Sequence, residues 1–394
     1  MVRFMSSKLR VLMLSDYFYP QIGGGVEKVV YETSKRLAEM GCEVLVITLG
    51  KCPSQDNYEV DGIKVCRLPA YDLTESFGLQ LCFPKNVFGA FQVAKNFGPD
   101  VIHAHNIFFT TSLLAVLLKR VCNKKLVITA HLGDVRKLAL VGHLKALAAS
   151  FYEYSLGIFA LASSDKVIAV SESVRDYMLS LGVSPEKVCV IQNGVDLEGF
   201  LPAVSDSDAE CCNVLFVGRL LPNKGLKYLI EAAELIVAKS SRKIKFKIVG
   251  DGAHKAQFEE LVASKGLSDY FVFLGKVPSI SAIFQDGGIF VRPSLTEGMP
   301  LTVLEAMASQ LPTVASNVAG TSELVIQNET GLLVESGNVE QLADAILYLV
   351  ESPELAQRLG RNAREFIERK YKERYSWDAV ASSTLSVYNS LGEN

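Results

Sequence analysis

Two glutamates eight positions apart, in the stretch SLTEGMPLTVLEAMA at residues 294–308, are the first residues whose spacing could do chemistry. Glu297 lies in a turn of serine, threonine, glycine and proline, whereas Glu305 lies in an apolar run that predicts a helix. A carboxylate buried in such a helix needs donors, because an unpaired buried charge is costly. Ribose hydroxyls would supply them, and Glu297 could then reach the other end of a nucleotide sugar. The alternative is a Glu297 that complements the helix dipole and a solvated Glu305.

Two cations bracket a predicted helix start in NVLFVGRLLPNKGLKYLIEA. Arg219 follows a strand-like run, and Lys224 stands just ahead of the helix. This pair suits a diphosphate, because arginine binds its oxygens as a fork and lysine acts as a point charge. The alternative is a pair of solvated surface charges.

Backbone groups could bind the rest of such a ligand. At the start of the helix that holds Glu305, Gly298, Met299 and Leu301 would present N–H groups, whereas Pro300 has none to donate.

Three glycines elsewhere stand at similar turns. Gly24 and Gly25, in GGGVEKVV, directly precede a helix whose N-terminus favours an anion. Gly250, in KIVGDG, ends a strand and could form a wall for a base or ribose. The third glycine of a dinucleotide fingerprint is missing after the first turn, which disfavours a nicotinamide-dependent oxidoreductase.

Histidines end two further strand-like runs. His131 follows VITA, and His103 and His105 share one face of VIHAH. His131 is either a structural residue or one that faces a ligand at the carboxyl end of its strand. No cluster has the spacing of a metal site, so we expect no metal ligands.

Composition excludes some classes of protein. The 394 residues are 49% apolar and 21% charged with a net charge of −3, which is typical of a globular protein and argues against a nucleic-acid binder. Basic residues outnumber acidic ones up to Val195, which would suit an anionic acceptor or a membrane surface, although chance variation explains it equally well. Eight cysteines without metal spacing, no secretory signal and no long apolar run predict a cytoplasmic protein, with peripheral membrane contact through the N-terminal domain as an option.

Short β-branched runs alternate with amphipathic runs along the whole chain. This alternation predicts an α/β fold with parallel sheets and helices on both faces. The stretch LEGFLPAVSDSDAECC does not follow this alternation and contains glycine, proline, serine and aspartate, which predicts an inter-domain linker. We therefore predict an N-terminal domain over 1–195, joined by a C-terminal helix at about 375–394 that packs back on it, and a second domain over 196–374. Two such doubly wound domains would face a central cleft.

The motifs together resemble those of retaining glycosyltransferases of family 4, which have the GT-B fold of two Rossmann-like domains. EGMPLTVLE matches the family's E-x7-E motif, and VRPSLTEG, VGRLLPNKG, VIQNGVD and GGGVEKVV follow the family pattern. The first segments are also similar to those of the transferases that begin glycolipid and phosphatidylinositol-glycan assembly. One departure is Arg292, where the family more often has an apolar residue.

The resemblance implies a role for each matching residue. Arg219 and Lys224 would stabilise the departing diphosphate, Glu297 would contact the donor sugar, and His131 would lie near the reacting centre. Asn193 would mark the hinge, and no cofactor or active-site metal is expected. The donor would be bound by Gly24, Gly25, Gly250, Gly298, Met299, Pro300, Leu301, Thr302 and Glu305.

The predicted activity is transfer of a hexose or N-acetylhexosamine from a nucleotide diphosphate sugar to a lipid, saccharide or small-molecule acceptor. The motifs leave alternatives of the same fold open: a nucleotide-sugar epimerase or a phosphorylase, and a non-catalytic nucleotide-sugar binding protein.

Overall fold

The computed structural model describes residues 8–20, 24–52, 54–72, 82–107, 109–132, 153–203 and 211–392. The chain divides into two compact units. Among those residues, the first unit comprises 8–132, 153–193 and 377–392, and the second comprises 194–376.

The first unit is built on one mostly parallel sheet. Its strands are β1 (Arg10–Ser15), β2 (Glu43–Gly50), β3 (Asp56–Val60), β4 (Ile63–Asp72), β5 (Cys82–Pro84), β6 (Val101–His105), β7 (Lys125–Ala130), β8 (Lys166–Ala169) and β9 (Val188–Val190). The described helices are α1 (Gly25–Glu39), α2 (Val87–Phe97), α3 (Thr110–Cys122), α4 (Ile158–Ser163) and α5 (Glu172–Ser180). The strand order is β3-β4-β2-β1-β6-β7-β8-β9, and β5 pairs with β4.

Strand β1 lies in the interior of this sheet. Val11 pairs with Val44 of β2 on one side and with Val101 of β6 on the other, and β1 is buried from Val11 to Ser15. Both faces are therefore covered, which explains why the strand is a continuous apolar run rather than an alternating one.

Two edge strands differ from the parallel arrangement that the alternation predicts. Strands β3 and β5 both run antiparallel to β4. Asp61 and Gly62 form the two-residue turn between β3 and β4, with φ angles of 48° and 75°. Positive φ at both positions is what a tight hairpin requires, and an Asp-Gly pair is among the residue pairs that adopt it most readily.

The second unit has its own parallel sheet. Its strands are β10 (Cys211–Val217), β11 (Lys243–Val249), β12 (Phe271–Gly275), β13 (Ile289–Arg292), β14 (Thr313–Ser316) and β15 (Leu332–Val334), in the order β12-β11-β10-β13-β14-β15. Its helices are α6 (Leu226–Lys239), α7 (Lys255–Ser264), α8 (Ile280–Gln285), α9 (Leu301–Ala308), α10 (Val339–Glu351) and α11 (Pro353–Lys370). Residues 204–210 of the predicted linker lie outside the described residues.

The C-terminal helix α12 (Trp377–Ser390) packs against α1 of the first unit. Asp378 forms an ion pair with Arg36 at 3.0 Å, and the Tyr388 hydroxyl lies 2.6 Å from Nδ1 of His103. The predicted packing of the C-terminal helix on the first domain is confirmed. No helix of the described residues is both long and apolar enough to cross a bilayer.

Each sheet contains a point where the chain reverses its direction of winding. The reversal lies between β1 and β6 in the first unit and between β10 and β13 in the second. Open α/β sheets bind ligands beyond the carboxyl ends of their strands at such points. The turns that follow β10 and β13 are therefore where a ligand of the second unit is expected.

Candidate active site

The turn after β10 places Lys224 beside the end of β13. A short 3₁₀ turn, Pro222–Lys224, precedes α6, and Gly225 joins them with a φ of 77°. A Cβ on Gly225 would lie 1.8 Å from the carbonyl oxygen of Pro293. Only glycine therefore allows the turn to lie directly against the segment that follows β13.

Glu297 is the centre of a buried ionic cluster in this unit. Nζ of Lys224 lies 3.0 Å from each of its carboxylate oxygens. Arg292 donates to Oε1 from Nε at 2.9 Å and from Nη2 at 2.6 Å, and the Ser294 hydroxyl donates to the same oxygen at 2.8 Å. Glu297 is only 6% exposed, so these donors offset the loss of hydration. It precedes α9 by four residues and is paired with cations, which excludes the alternative of a first-turn acid in that helix.

The charges of the cluster set the protonation of its members. Burial alone would raise the pKa of Glu297, but the charges of Arg292 and Lys224 outweigh it and lower that pKa to about 2. Burial is the main cause that lowers the pKa of Lys224 to about 8; Glu297 opposes this shift, and Arg292 and Arg219 add to it. At neutral pH the cluster therefore holds an ionised carboxylate and a lysine close to its titration point.

Helix α9 carries the second predicted glutamate. Glu305 lies in its second turn and is 3% exposed, so the alternative of a solvated residue is excluded. The helix begins at Leu301 with Pro300 as its N-cap, and its first N–H groups have no partner within the helix. Oγ1 of Thr302 is buried and has no hydrogen-bond partner among the described residues. This helix start therefore offers several donors in one place.

The turn that follows β11 lies against the turn that carries Arg219. Gly250 has a φ of 128°, and a Cβ there would lie 1.9 Å from the carbonyl oxygen of Gly218. Leu220 N–H donates to the carbonyl oxygen of Asp251 at 2.9 Å. In the same way, a Cβ on Gly320 would lie 1.6 Å from the carbonyl oxygen of Gly298, so the turn before Met299 is closely packed.

In the first unit, His131 belongs to a stack of buried histidines. Its Nε2 lies 3.0 Å from Nδ1 of His105, and the rings of His105 and His103 are stacked at 4.3 Å. His103 in turn contacts the hydroxyls of Tyr388 and Thr129. Burial lowers the pKa of His131 and of His103 to about 3, and burial with the neighbouring histidines lowers that of His105 well below its usual value. All three rings are neutral at physiological pH.

The hydrogen bonding of the stack favours one tautomer of His131. Nε2 of His105 is buried without a partner among the described residues. Burying an unprotonated ring nitrogen there costs less free energy than burying an N–H without an acceptor, so Nε2 of His105 is unprotonated. His105 therefore donates through Nδ1 to Nε2 of His131. The remaining ring nitrogen of His131, Nδ1, then carries the proton and is a donor.

The other predicted residues of the first unit lie at the start of α1 and in the segment that follows β9. Helix α1 begins at Gly25, and Gly24 is its N-cap in an extended conformation without a side-chain cap. Gly23 lies outside the described residues. Asn193 is buried and is the last residue of the first unit before the chain enters the second.

Two buried titratable residues, Arg292 and Asp16, have roles that the sequence motifs do not indicate. Arg292 pairs with Glu297 across a turn whose path only the fold determines, although the unusual arginine was a signal. Asp16 accepts hydrogen bonds from the N–H groups of Thr110 at 3.2 Å and Thr111 at 2.9 Å, so it caps α3, and burial raises its pKa to about 7. No local pattern marks Asp16, because the helix it caps begins 94 residues later.

No group of three or more histidine, cysteine, aspartate or glutamate side chains that could hold a metal ion occurs among the described residues. Arg219, Lys224 and Arg292 contribute positive side-chain charge to the site.

Two family descriptions match the two halves of the chain. Glycosyltransferase Family 4 matches residues 23–198, and Glycosyl transferases group 1 matches residues 203–366. The chain is 30% identical over 395 residues to a phosphatidylinositol N-acetylglucosaminyltransferase subunit from Arabidopsis thaliana, covering 97% of this chain and 82% of the relative. The chain belongs to glycosyltransferase family 4. This family 4 protein is therefore a transferase, and the resemblance seen in the sequence motifs is confirmed.

Solved structures show the same fold as this family 4 protein. Sucrose-phosphate synthase from Thermosynechococcus elongatus has a TM-score of 0.81 at 24% identity, covering 98% of this chain and 99% of that one. Anabaena HepE in complex with UDP-glucose has a TM-score of 0.76 at 20% identity, covering 97% of this chain and all of the other. The predicted GT-B fold with two Rossmann-like domains is confirmed.

Proposed function

We propose that this glycosyltransferase moves an N-acetylhexosamine, or a related hexose, from a nucleotide diphosphate sugar to a lipid acceptor with retention of anomeric configuration. The observation that carries the proposal is the buried cluster of Lys224, Arg292 and Glu297 beside Arg219. A departing diphosphate needs positive charge in place before it leaves. The Arabidopsis relative, named for transfer of N-acetylglucosamine to phosphatidylinositol, supports this choice of sugar and lipid.

The donor binds along the turns that follow β10 and β13. Arg219 and Lys224 bind its diphosphate, and the first N–H groups of α9 and the hydroxyl of Thr302 add neutral donors. Glu297 accepts from hydroxyls of the transferred sugar, and Glu305 accepts from the ribose. Glu297, Glu305 and the start of α9 are buried and fixed by the fold before the donor binds, which limits the reorganisation that the reaction needs.

The remaining predicted residues complete this proposal. The closely packed backbone at residues 298–301 and at Gly250 lies next to the phosphates, sugar and ribose. His131 donates through Nδ1 to a hydroxyl of the transferred sugar, the N-terminus of α1 at Gly24 and Gly25 favours the diphosphate's charge, and Asn193 marks the hinge.

In the proposed reaction, the bond from the anomeric carbon to the diphosphate oxygen breaks, and the acceptor hydroxyl attacks the same face of an oxocarbenium-like sugar. The acceptor's proton leaves with the diphosphate. We assign no covalent nucleophile, and retention rests on the family. Because Arg219 and Lys224 supply the positive charge, we propose that transfer continues when divalent cations are chelated.

An exposed aromatic surface on the first unit supports a lipid acceptor. Tyr71 of β4 pairs with Phe83 of β5, both rings are exposed, and Lys85 lies 4.9 Å over the Tyr71 ring. Phe88, at the start of α2, is 80% exposed. We call these four residues the aromatic patch. Exposed aromatic rings beside a lysine suit the interface of an anionic bilayer. The eight cysteines form no disulfide bond, which supports a location on the cytoplasmic face.

Replacing Phe88 with serine is expected to weaken binding to phosphatidylinositol-containing vesicles by about tenfold or more, since one fully buried phenylalanine contributes roughly 1.5–3 kcal/mol. Cosedimentation of the purified chain with vesicles measures this. Tyr348→Ser removes another exposed aromatic ring, from α10, and serves as the control. Equal binding by the Phe88 variant and the native chain would rule out the patch as the membrane contact.

The proposed function is tested by offering the chain labelled UDP-N-acetylglucosamine, UDP-glucose or GDP-mannose with phosphatidylinositol vesicles. We expect one donor to label the lipid in the presence of EDTA, with an α linkage by NMR when the donor sugar is α. A β linkage would contradict retention. Isomerised donor without acceptor would indicate an epimerase, and binding of UDP without transfer to any lipid or saccharide would indicate a binding protein; either result overturns the proposal.

A further inference from the structure

The two oxygens of the Glu297 carboxylate have unequal surroundings. Oε1 accepts from Nε and Nη2 of Arg292 and from the Ser294 hydroxyl, at 2.6–2.9 Å, and lies 3.0 Å from Lys224. Within the described part of the chain, Oε2 has one hydrogen-bond partner, Nζ of Lys224, also at 3.0 Å. One oxygen is therefore anchored, and the other depends on a lysine that the diphosphate also attracts.

We propose that Arg292 is a positioning residue, which anchors Glu297 through Oε1 so that Lys224 can leave the carboxylate for the donor diphosphate and Oε2 can accept a hydroxyl of the donor sugar. This inference rests on the proposed function, because it assumes a nucleotide diphosphate sugar as the ligand. It assigns to Arg292 a role that the sequence motifs do not contain.

The contacts of Arg292 distinguish this role from direct binding of phosphate. Its Nε and Nη2 both donate to Glu297, and its Nη1 donates to the carbonyl oxygen of Val217 at 2.9 Å. The residue is only 5% exposed. Each nitrogen of the guanidinium therefore donates a hydrogen bond within the protein, which favours action on the ligand through Glu297 over direct contact.

Charge balance explains why a second cation is needed behind Glu297. The cluster and the neighbouring Arg219 together place three cations, Arg219, Lys224 and Arg292, around the carboxylate of Glu297. The excess of two positive charges matches the doubly ionised diphosphate of a nucleotide sugar. Without Arg292, movement of Lys224 to the diphosphate would leave the buried Glu297 with Ser294 as its remaining side-chain donor. A buried carboxylate in that condition is strongly unfavourable, so donor binding would be weakened.

The space over Gly218 gives an independent sign that the position of Arg292 matters. A Cβ built on Gly218 would lie 2.5 Å from Nη1 of Arg292, and its three nearest atoms all belong to that guanidinium. A Gly218→Ala change therefore displaces the guanidinium without removing any charge. This change should therefore lower kcat/KM only in a chain that has Arg292.

A double-mutant cycle with the donor as the varied substrate tests the proposal. Arg292→Met is expected to lower kcat/KM about 100-fold, the effect of losing a buried charge-assisted pair. Arg292→Lys should recover part of this, since lysine keeps the charge but cannot make the forked contact. Gly218→Ala should lower native kcat/KM about tenfold yet change the Arg292→Met variant less than about twofold. Arg358→Met, at an exposed position of α11, is the control.

The pH dependence separates positioning from a structural role. Lys224 faces Glu297 and Arg292 from the turn after β10, with Arg219 on its own turn, and the charge of Arg292 lowers the pKa of Lys224. In Arg292→Met the alkaline fall of kcat/KM should therefore move to higher pH. If the methionine variant does not fold, as judged by circular dichroism, Arg292→Lys and Gly218→Ala alone provide the test.

The affinity of the same variants for UDP, measured by calorimetry, does not require sugar transfer. It therefore tests the role of Arg292 separately from the proposed function. Loss of UDP affinity in Arg292→Met, with non-additivity at Gly218, supports the anchor even if the native chain transfers no sugar. A native chain that transfers sugar, with additive effects of the two changes and an unmoved alkaline limb, overturns it.

Discussion

Replacing Lys224 with methionine is expected to lower kcat about 10³-fold, because the change removes a positive charge that stabilises the departing diphosphate. The fold should survive, since Arg292 and Ser294 still donate to Glu297. The alkaline limb of the native kcat/KM profile should lie near pH 8, where the buried ammonium loses its proton. Initial rates with saturating donor and lipid measure the first effect, and a pH series at low donor measures the second.

Lys227→Met is the matched control for this prediction. Lys227 lies three residues further on, at the exposed surface of α6, where it pairs with Glu231 at 3.6 Å. Its removal should leave kcat within about twofold of native, because exposed pairs of this kind contribute little. A kcat for Lys224→Met close to that of the native chain, with the same melting temperature, would show that Lys224 does not stabilise the leaving group.

Acidification is expected to unfold the first unit well above pH 3, because of its buried histidines. An unfolded histidine takes up a proton near pH 6.5, whereas the pKa of His103 and of His131 in the fold is about 3. The unfolded state therefore binds more protons between these values, and stability falls as pH falls from 6.5 and levels off below about 3. At about pH 4 the loss is roughly 3 kcal/mol for each of the two. Asp16, with its pKa raised to about 7, acts in the opposite direction as it gains a proton on acidification.

Trp377 makes this prediction measurable in the first unit alone. It is the single tryptophan of the chain, is 3% exposed and begins α12, which belongs to the first unit. His103→Gln removes one buried titrating group while Asp16 remains, so the acid transition of Trp377 fluorescence should move to lower pH. His254→Gln, in the second unit, is the control and should leave it unchanged. Coinciding transitions for the native chain and His103→Gln would mean that this histidine is not neutral and buried.

The sequence predicted the local elements because their signals are local. The apolar run RVLMLS indicates a strand that is buried on both faces, and the amphipathic segment after it indicates a helix that is buried on one face. Neither signal depends on distant parts of the chain. Lys224, Glu297 and Glu305 could be selected for the same reason, since each stands at a strand-to-helix turn or inside an apolar helix. The Asp-Gly pair at Asp61 and Gly62 is also a local signal, and it indicates a hairpin. The strand–helix alternation along the rest of the chain led instead to the prediction of parallel strands.

Only the tertiary structure decided which of these residues meet. Lys224 and Glu297 are 73 positions apart and pair because β10 and β13 are neighbours, whereas His103 and Tyr388 are 285 apart and pair because α12 packs on the first unit. Periodicity reports which face of an element is buried and contains no information on the order of strands in a sheet. Arg292 shows the consequence, because an arginine at the end of a buried strand is unexpected from the sequence alone. The fold explains it by placing the Glu297 carboxylate, the Val217 carbonyl and the space over Gly218 around the guanidinium.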